Sequence, residues 1–373
     1  MNIIILTNHA SSLGYGAEIN MLTISKGLSD LGHNITMLYL KEGDLLEEYR
    51  KFCVHTMQVS SYELGGKKRF FGSLLNFISV INKLPKDKYH IVYANQIWCL
   101  PFAYILGFLK RLTLVCYQQE PVPEKIGIGL FISLRLVKRN IFVSNTTKLD
   151  WIKRGFVKEN RAEVAYCGVN TEIFKPSEDF LKDRARLGFP KDGKIILYMG
   201  RLDKGKGIET LLEAFSLLLK KGIFARLLIV GSTALSGREY EESLIFKCVS
   251  LGIKEYMTFL GFKDNPIDFY QISDIVVVPS VFQEPFGRIV IESLACGTPV
   301  IASKIGGIPE ILTGEFQQYL FTPGSSEELA NLLIMNLNWR EQDPALGKRC
   351  REYIISNFSA VKFIDRIEDI LLF

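Results

Sequence analysis

Short runs of β-branched and aliphatic residues alternate with longer amphipathic segments along nearly the whole chain, a pattern that predicts parallel sheets with helices on both faces. In the first part the expected strands are Ile3–Leu6, Ile35–Leu40, Ile91–Ala94, Leu112–Tyr117, Ile141–Val143 and Ala162–Ala165. Ala17–Leu31 carries the apolar period of a helix and stops at Gly32, a residue suited to the left-handed turn that ends helices. The strand pattern restarts with Ile195–Met199, Leu227–Val230, Met257–Leu260, Ile275–Val278 and Pro299–Ala302. Between the two sets, Gly168–Asp192 is polar, contains Pro176 and Pro190, and reads as a linker. From Gly347 onward the pattern is wholly helical, a tail expected to pack back across the hinge. The expectation is an α/β protein of two domains, residues 1–170 joined by a helix at about 358–373, and residues 171–357.

Composition agrees with two cores. A chain of 373 residues exceeds what one core usually supports, and 48% hydrophobic content without repeats or low-complexity tracts lets both parts fold. The longest apolar stretch, Ile97–Leu109, is too short to cross a bilayer before Lys110 and Arg111 interrupt it. The chain opens on a strand-like run without the features of a secretory signal, so a cytoplasmic location is expected. Seven cysteines, odd in number and without paired close spacing, predict reduced buried thiols in place of a disulfide framework or zinc site. His9, His33, His55 and His90 have no metal-ligand or triad spacing and are expected to be structural.

Charge is uneven. Through Asn170 there are 21 Lys+Arg against 13 Asp+Glu, net +8, and the remainder has 24 against 27, net −3. The basic part should attract anions: a membrane surface, a phosphate-bearing acceptor or nucleic acid would each answer, and so would a plainly solvated surface. No motif points to nucleic acid.

Two glycine-rich stretches invite nucleotide readings. Gly14-Tyr15-Gly16 begins like a dinucleotide fingerprint, but the third glycine position holds Ile19 and the run starts several residues after its strand, which disfavours a dehydrogenase. Gly200-Arg201-Leu202-Asp203-Lys204-Gly205-Lys206-Gly207 follows a strand and precedes a helix, yet a phosphate-binding loop would need Ser or Thr next to hold magnesium, and that place is glycine. The ATPase reading fails there. The physics survives: a loop with two cations beside a helix N-terminus suits a phosphate.

The most specific stretch is Glu284-Pro285-Phe286-Gly287-Arg288-Ile289-Val290-Ile291-Glu292-Ser293-Leu294-Ala295-Cys296-Gly297-Thr298-Pro299-Val300-Ile301. Pro285 can start a helix, Gly287 permits close backbone approach, and the first free amides can meet an anion. Glu292 lies one to two turns on, so both carboxylates can border one cleft and accept hydrogen bonds from sugar hydroxyls. This stretch resembles the Glu-x7-Glu motif of glycosyltransferase family 4, the group 1 glycosyl transferases, and Gly200-Arg201 through Lys206-Gly207 looks like that family's diphosphate-binding segment. Cys167–Pro176, with Asn170 where Asp is usual, Phe259-Leu260-Gly261-Phe262 and Gly306–Glu310 are similar in turn. The resemblance spans about half the chain, in order.

It implies a retaining enzyme of the GT-B fold, two Rossmann-like domains facing a central cleft, with the acceptor on the N-terminal domain and a nucleotide sugar on the C-terminal one. By that resemblance Arg201 and Lys206 neutralise the departing diphosphate, Glu284 holds the donor sugar and Glu292 the ribose, and the amides of Gly287, Arg288 and Ile289 cradle phosphate or sugar. Gly200, Phe262 and Phe286 join the donor site, and Gly16 allows approach to the diphosphate. UDP-glucose is the expected donor, a hexose the group transferred, and a glycan, lipid-linked or polysaccharide molecule the acceptor. No two aspartates have Asp-x-Asp spacing, so neither metal nor any other cofactor is implied. The acceptor side departs from the family, with Asn95 where a histidine is frequent and Glu120 in Tyr117-Gln118-Gln119-Glu120-Pro121. An obvious general base is therefore missing, which suits a front-face displacement in which the leaving phosphate takes the acceptor proton. Both remain acceptor-site expectations. The rivals are a catalytically silent sugar-nucleotide binding module and a sugar-nucleotide epimerase, the latter disfavoured by the complete Glu-x7-Glu match.

Lys67-Lys68-Arg69-Phe70-Phe71 precedes an apolar helix-like run through Leu84, which suggests peripheral association with an anionic membrane. Alternatively Phe71, Leu74, Leu75 and Ile78 simply face the first domain's core.

Overall fold

The computed structural model describes residues 1–12, 16–64, 70–233 and 237–372. The chain divides into two compact units, Met1–Gly168 with Ala360–Phe373, and Val169–Ser359. Val169 and Ser359, where the chain enters and leaves the second unit, form a parallel bridge, and the Val169 amide donates to Phe358 O at 2.9 Å.

The first unit is built on seven strands, β1 (Asn2–His9), β2 (Asn34–Lys41), β3 (His55–Gln58), β4 (Ile91–Ala94), β5 (Thr113–Gln118), β6 (Arg139–Phe142) and β7 (Ala162–Val164). They run parallel in the order β3-β2-β1-β4-β5-β6-β7. Ile3, Ile4, Ile5 and Leu6 are all fully buried, as in a central parallel strand covered by helices on both faces. Helix Ala360–Leu372 completes this unit. Its stripe Phe363, Ile367, Ile370 and Leu371 is buried, Ile364 fills the space over Gly27, where any Cβ would collide, and Glu368 meets His33 Nε2 at 2.7 Å.

The second unit has six parallel strands, β8 (Lys194–Met199), β9 (Ala225–Val230), β10 (Met257–Gly261), β11 (Ile275–Val278), β12 (Val300–Ser303) and β13 (Leu320–Phe321), in the order β10-β9-β8-β11-β12-β13. In each sheet successive connections move outward in opposite directions from a central pair, β1 with β4 and β8 with β11. Loops leaving the C-terminal ends of such a pair diverge and leave a crevice for ligands.

Two expectations and one omission are corrected by the fold. The segment read as a linker contains helix Phe180–Arg186, because Arg184 is drawn into the second unit: its Nη2 lies 2.8 Å from Asp274 Oδ2, both groups buried. Removing one partner of such a pair costs about 3–5 kcal/mol, so this part of the segment is an anchored element. Edge strands β3 and β13 escaped the reading because they are short and weakly patterned. Finally, Phe71, Leu75 and Ile78 do not face the core; they are 77%, 67% and 37% exposed, and the helix Phe70–Lys83 instead buries Phe77 and Ile81. Lys67, Lys68 and Arg69 lie outside the described residues, as do Gly14 and Tyr15.

Candidate functional site

In the second unit the loops after β8 and β11 carry the expected donor residues. Gly200 leaves β8 at φ 145° with its amide donating to Val230 O, and Gly231 lies so close to Gly200 O that no side chain fits between them. Arg201 follows, half exposed, with Nη2 3.6 Å from Asp203 Oδ2. A single 3-10 turn, Lys204–Lys206, ends at Gly207, where φ is 64° and a Cβ would sit on Pro279 O. Gly205 O accepts from the amides of Val281 and Phe282 at 3.0 and 3.1 Å, so the two loops are joined backbone to backbone.

This stitching sets the charges. Lys206 Nζ donates to Glu284 Oε2 at 2.5 Å, and Ser280 Oγ donates to the same oxygen at 3.3 Å. Glu284 is held in turn by its own carbonyl, which accepts from the Gly307 amide at 2.8 Å while Gly306 packs against its backbone too closely for any side chain. Helix Arg288–Ala295 starts later than Pro285: Gly287, at φ 111°, is its N-cap and turns the chain into it. The Val290 amide donates to Gly287 O at 2.9 Å, and this first turn carries the positive end of the helix. Ile289 lies beside Gly200, bringing this end next to the loop after β8.

Glu292 is almost buried and fully engaged. Its Oε2 accepts from the Tyr270 hydroxyl at 2.9 Å, and its Oε1 accepts from Arg288 Nε and Nη2 at 3.2 and 2.9 Å. Burial and the neighbouring Glu292 carboxylate push the Tyr270 phenol well above its ordinary value, so it stays a hydrogen-bond donor. Phe286 is 4% exposed, its ring tilted against that of Phe358, whereas Phe262, after β10, is 44% exposed. Arg201, Lys206, Glu284, Gly287, Arg288 and Ile289 thus come from two stitched loops and one helix start. Tyr270 and Ser280 were missed because neither lies in a motif.

The first unit brings together a different set at the ends of β1, β4 and β5. Gly16 is exposed at the start of helix Gly16–Asp30. Asn95 is fully buried: Nδ2 donates to Glu18 at 3.3 Å and Oδ1 accepts from Gln119 Nε2 at 2.6 Å. Glu18, which no motif flagged, is 1% exposed and accepts from the Thr7 hydroxyl. Burial pushes its carboxyl up to about 7, hydrogen bonds from Thr7, the His9 backbone and Asn95 oppose this, and the nearby Glu120 charge adds to it. Glu120 itself is exposed and accepts from Gln96 Nε2 at 3.3 Å. Among the described residues no cluster of His, Cys, Asp and Glu could hold a metal ion, and no helix is long and apolar enough to cross a membrane.

Residues 179–353 match the family described as glycosyl transferases group 1, and residues 15–173 match glycosyltransferase family 4. An uncharacterized glycosyltransferase of Methanocaldococcus jannaschii is 35% identical over 290 residues, covering 73% of this chain and 70% of that protein. A D-inositol 3-phosphate glycosyltransferase of Corynebacterium aurimucosum is 25% identical over 99% of this chain and 95% of its own length. Among solved structures, Anabaena HepE in complex with UDP-glucose superposes with TM-score 0.83 at 23% identity, covering 100% of this chain and 99% of that one. A glycosyltransferase from Rickettsia africae gives 0.84 at 23% identity, covering 99% of this chain and 97% of its own. With its two Rossmann-like parallel sheets and these matches along nearly its whole length, the chain belongs to the family 4, group 1 glycosyltransferases of the GT-B type.

Proposed function

We propose that the protein transfers a hexose, glucose from UDP-glucose, to a glycan, lipid-linked or polysaccharide acceptor with retention of configuration and without a metal ion. The observation that carries this is the pairing of Lys206 with Glu284 beside the positive start of helix Arg288–Ala295, at the crevice between β8 and β11. A diphosphate needs cations and amides that already stand in place as charge builds on the leaving group. Arg201, Lys206 and the amides after Gly287 supply them, and Glu284 and Glu292 offer carboxylate oxygens to sugar and ribose hydroxyls. In the proposed reaction the acceptor oxygen bonds to the anomeric carbon as the bond to the β-phosphate breaks, and the departing phosphate takes the acceptor proton. HepE, similar in fold, is solved with UDP and with UDP-glucose, which supports the donor. The unit Met1–Gly168 with Ala360–Phe373 is the proposed acceptor side and Val169–Ser359 the donor side.

Incubation with UDP-, GDP- and ADP-glucose, read as release of nucleoside diphosphate, tests the donor. Release from UDP-glucose above the others supports the reading. Binding of UDP-glucose without any release, in the presence of lipid and polysaccharide extracts, would favour a silent sugar-nucleotide binding module.

A second reading concerns place. Exposed apolar side chains recur on three neighbouring helices of the first unit, at Phe71 and Leu75, at Phe108 and Leu109, and at Ile128 and Ile132. Exposed Lys110, Arg111, Lys125, Arg135 and Lys138 lie on or beside the second and third of these helices. Apolar side chains flanked by cations suit the surface of an anionic bilayer, where each cation contributes about 1 kcal/mol. Peripheral work on a lipid-linked acceptor follows from this.

A further inference from the structure

Helix Arg288–Ala295 has two ends, and only its start belongs to the proposed donor crevice. Eight residues on, about 12 Å along the helix, Cys296 and Gly297 help to line a groove of about 480 Å3 that lies wholly within the second unit. This volume falls in the range of about 300–1,000 Å3 usual for small-molecule sites. Part of the lining is bare backbone, since a Cβ on Gly347 would meet Gly297 O at 2.9 Å. Pro176, Phe180 and Pro344 add apolar surface.

Three of the lining residues are cations, Arg340, Lys348 and Arg351, and no Asp or Glu is among the described residues that line the groove. Arg340 shares its one carboxylate: Asp274 Oδ1 lies 3.0 Å from Arg340 Nε while Oδ2 lies 2.8 Å from Arg184 Nη2, so one negative charge serves two positive ones. Burial pulls the Arg340 guanidinium below its ordinary value, the Asp274 carboxylate opposes this, and the Arg184 charge adds to it. The guanidinium stands 4.4 Å from the ring centroids of both Phe180 and Trp339, which fixes its plane. Its Nη1 has no hydrogen-bond partner among the described residues and is not buried. Arg351 has no carboxylate partner among them either: Nη1 donates to Phe174 O and Ala295 O at 2.9 and 3.0 Å and Nη2 to Thr171 O at 2.8 Å, while Nε is open. Lys348, three residues earlier on the same helix face, is 79% exposed and 3.6 Å from Glu352. Guanidiniums already held in place and short of negative charge suit the oxygens of a phosphate.

We propose that this groove is a second anion site, one that binds a small organic phosphate, with the phosphate held by Arg340, Lys348 and Arg351 and the carbon skeleton against Pro176, Phe180 and Pro344. None of these residues takes part in the proposed transfer.

The test titrates the full chain with glucose 6-phosphate, AMP and pyrophosphate by isothermal calorimetry, beside glucose and adenosine, in the unsubstituted protein, Lys348→Glu and Lys206→Ala. The expected result is that glucose 6-phosphate or AMP binds at one site, more tightly than pyrophosphate and than its own unphosphorylated parent. Lys348→Glu should weaken this binding about tenfold or more, and Lys206→Ala should leave it unchanged. Lys348 is exposed, so its variant keeps the fold. Binding of neither organic phosphate, or binding that Lys348→Glu leaves unchanged, overturns the site. Loss of binding in Lys206→Ala would put the ligand in the donor crevice and overturn it as well, and pyrophosphate binding as tightly as both would leave no place for a carbon skeleton. Release of UDP from UDP-glucose, measured on the same samples, should persist in Lys348→Glu and fall in Lys206→Ala, so it reports on the proposed transferase activity independently of the groove.

Discussion

Lys206 Nζ stands 2.5 Å from Glu284 Oε2, an ion pair that closes the two loops leaving β8 and β11 onto one another. Both side chains are only partly exposed, so the pair is less screened than a surface one. In the proposed reaction this cation exchanges the carboxylate for a phosphate of the donor.

Lys206→Ala and Arg201→Ala should each lower turnover of UDP-glucose by about 100-fold or more, the effect of removing one donor from a pre-organised anion site. Melting temperature should change little for Arg201→Ala, whose side chain is half exposed. Initial rates over a range of donor concentrations check this. Unchanged turnover in either variant would remove the diphosphate role from that residue.

Activity should persist in excess EDTA, because two cations and a helix start supply the charge that a metal ion supplies elsewhere. Loss of turnover on chelation, restored by magnesium or manganese, is the contrary outcome.

Glu18 predicts a pH dependence of stability. Its carboxyl is raised to about 7 in the folded protein against 4.5 unfolded, so the folded state holds the extra proton. Its contribution is complete below about pH 4.5 and is lost as pH rises through about 7, a change of about 3 kcal/mol. Glu18→Gln should flatten the unfolding free energy across this window, measured by urea titration at several pH values. Parallel profiles for the two proteins would refute the buried, protonated carboxyl.

Sedimentation with phosphatidylglycerol vesicles should carry the protein down at low salt, less at high salt, and less for Phe71→Ser combined with Leu75→Ser. Both side chains are exposed, so the double variant should fold. No sedimentation at any salt concentration, with full activity on a free soluble sugar, would contradict the membrane reading.

What was legible in the sequence followed physical strength of signal. Buried parallel strands such as Ile91–Ala94 and Ile275–Val278 are continuous apolar runs, and their bounds agree with the reading to the residue. Edge strands β3 and β13 bury less and pattern less. Gly207, Gly287 and Gly306 each sit at positive φ where backbone or side-chain atoms crowd the Cα, which is why the donor segments read as motifs. Glu18 and Gln96 escaped, since their meaning comes from partners far apart in the chain: Asn95 is 77 residues from Glu18 in sequence and 3.3 Å from it in space.

The bridge between Val169 and Ser359 has a consequence for how the molecule comes into being. The second unit is one uninterrupted stretch with adjoining ends, and it can close as soon as Ser359 has left the ribosome. The first unit, begun earlier, must wait: until Ala360–Leu372 emerges, the groove beside Gly27 stands open and Ile364, Phe363 and Ile367 are missing from it. The half made first therefore matures last, and a nascent chain stalled anywhere in the second unit carries an apolar surface for chaperones to cover.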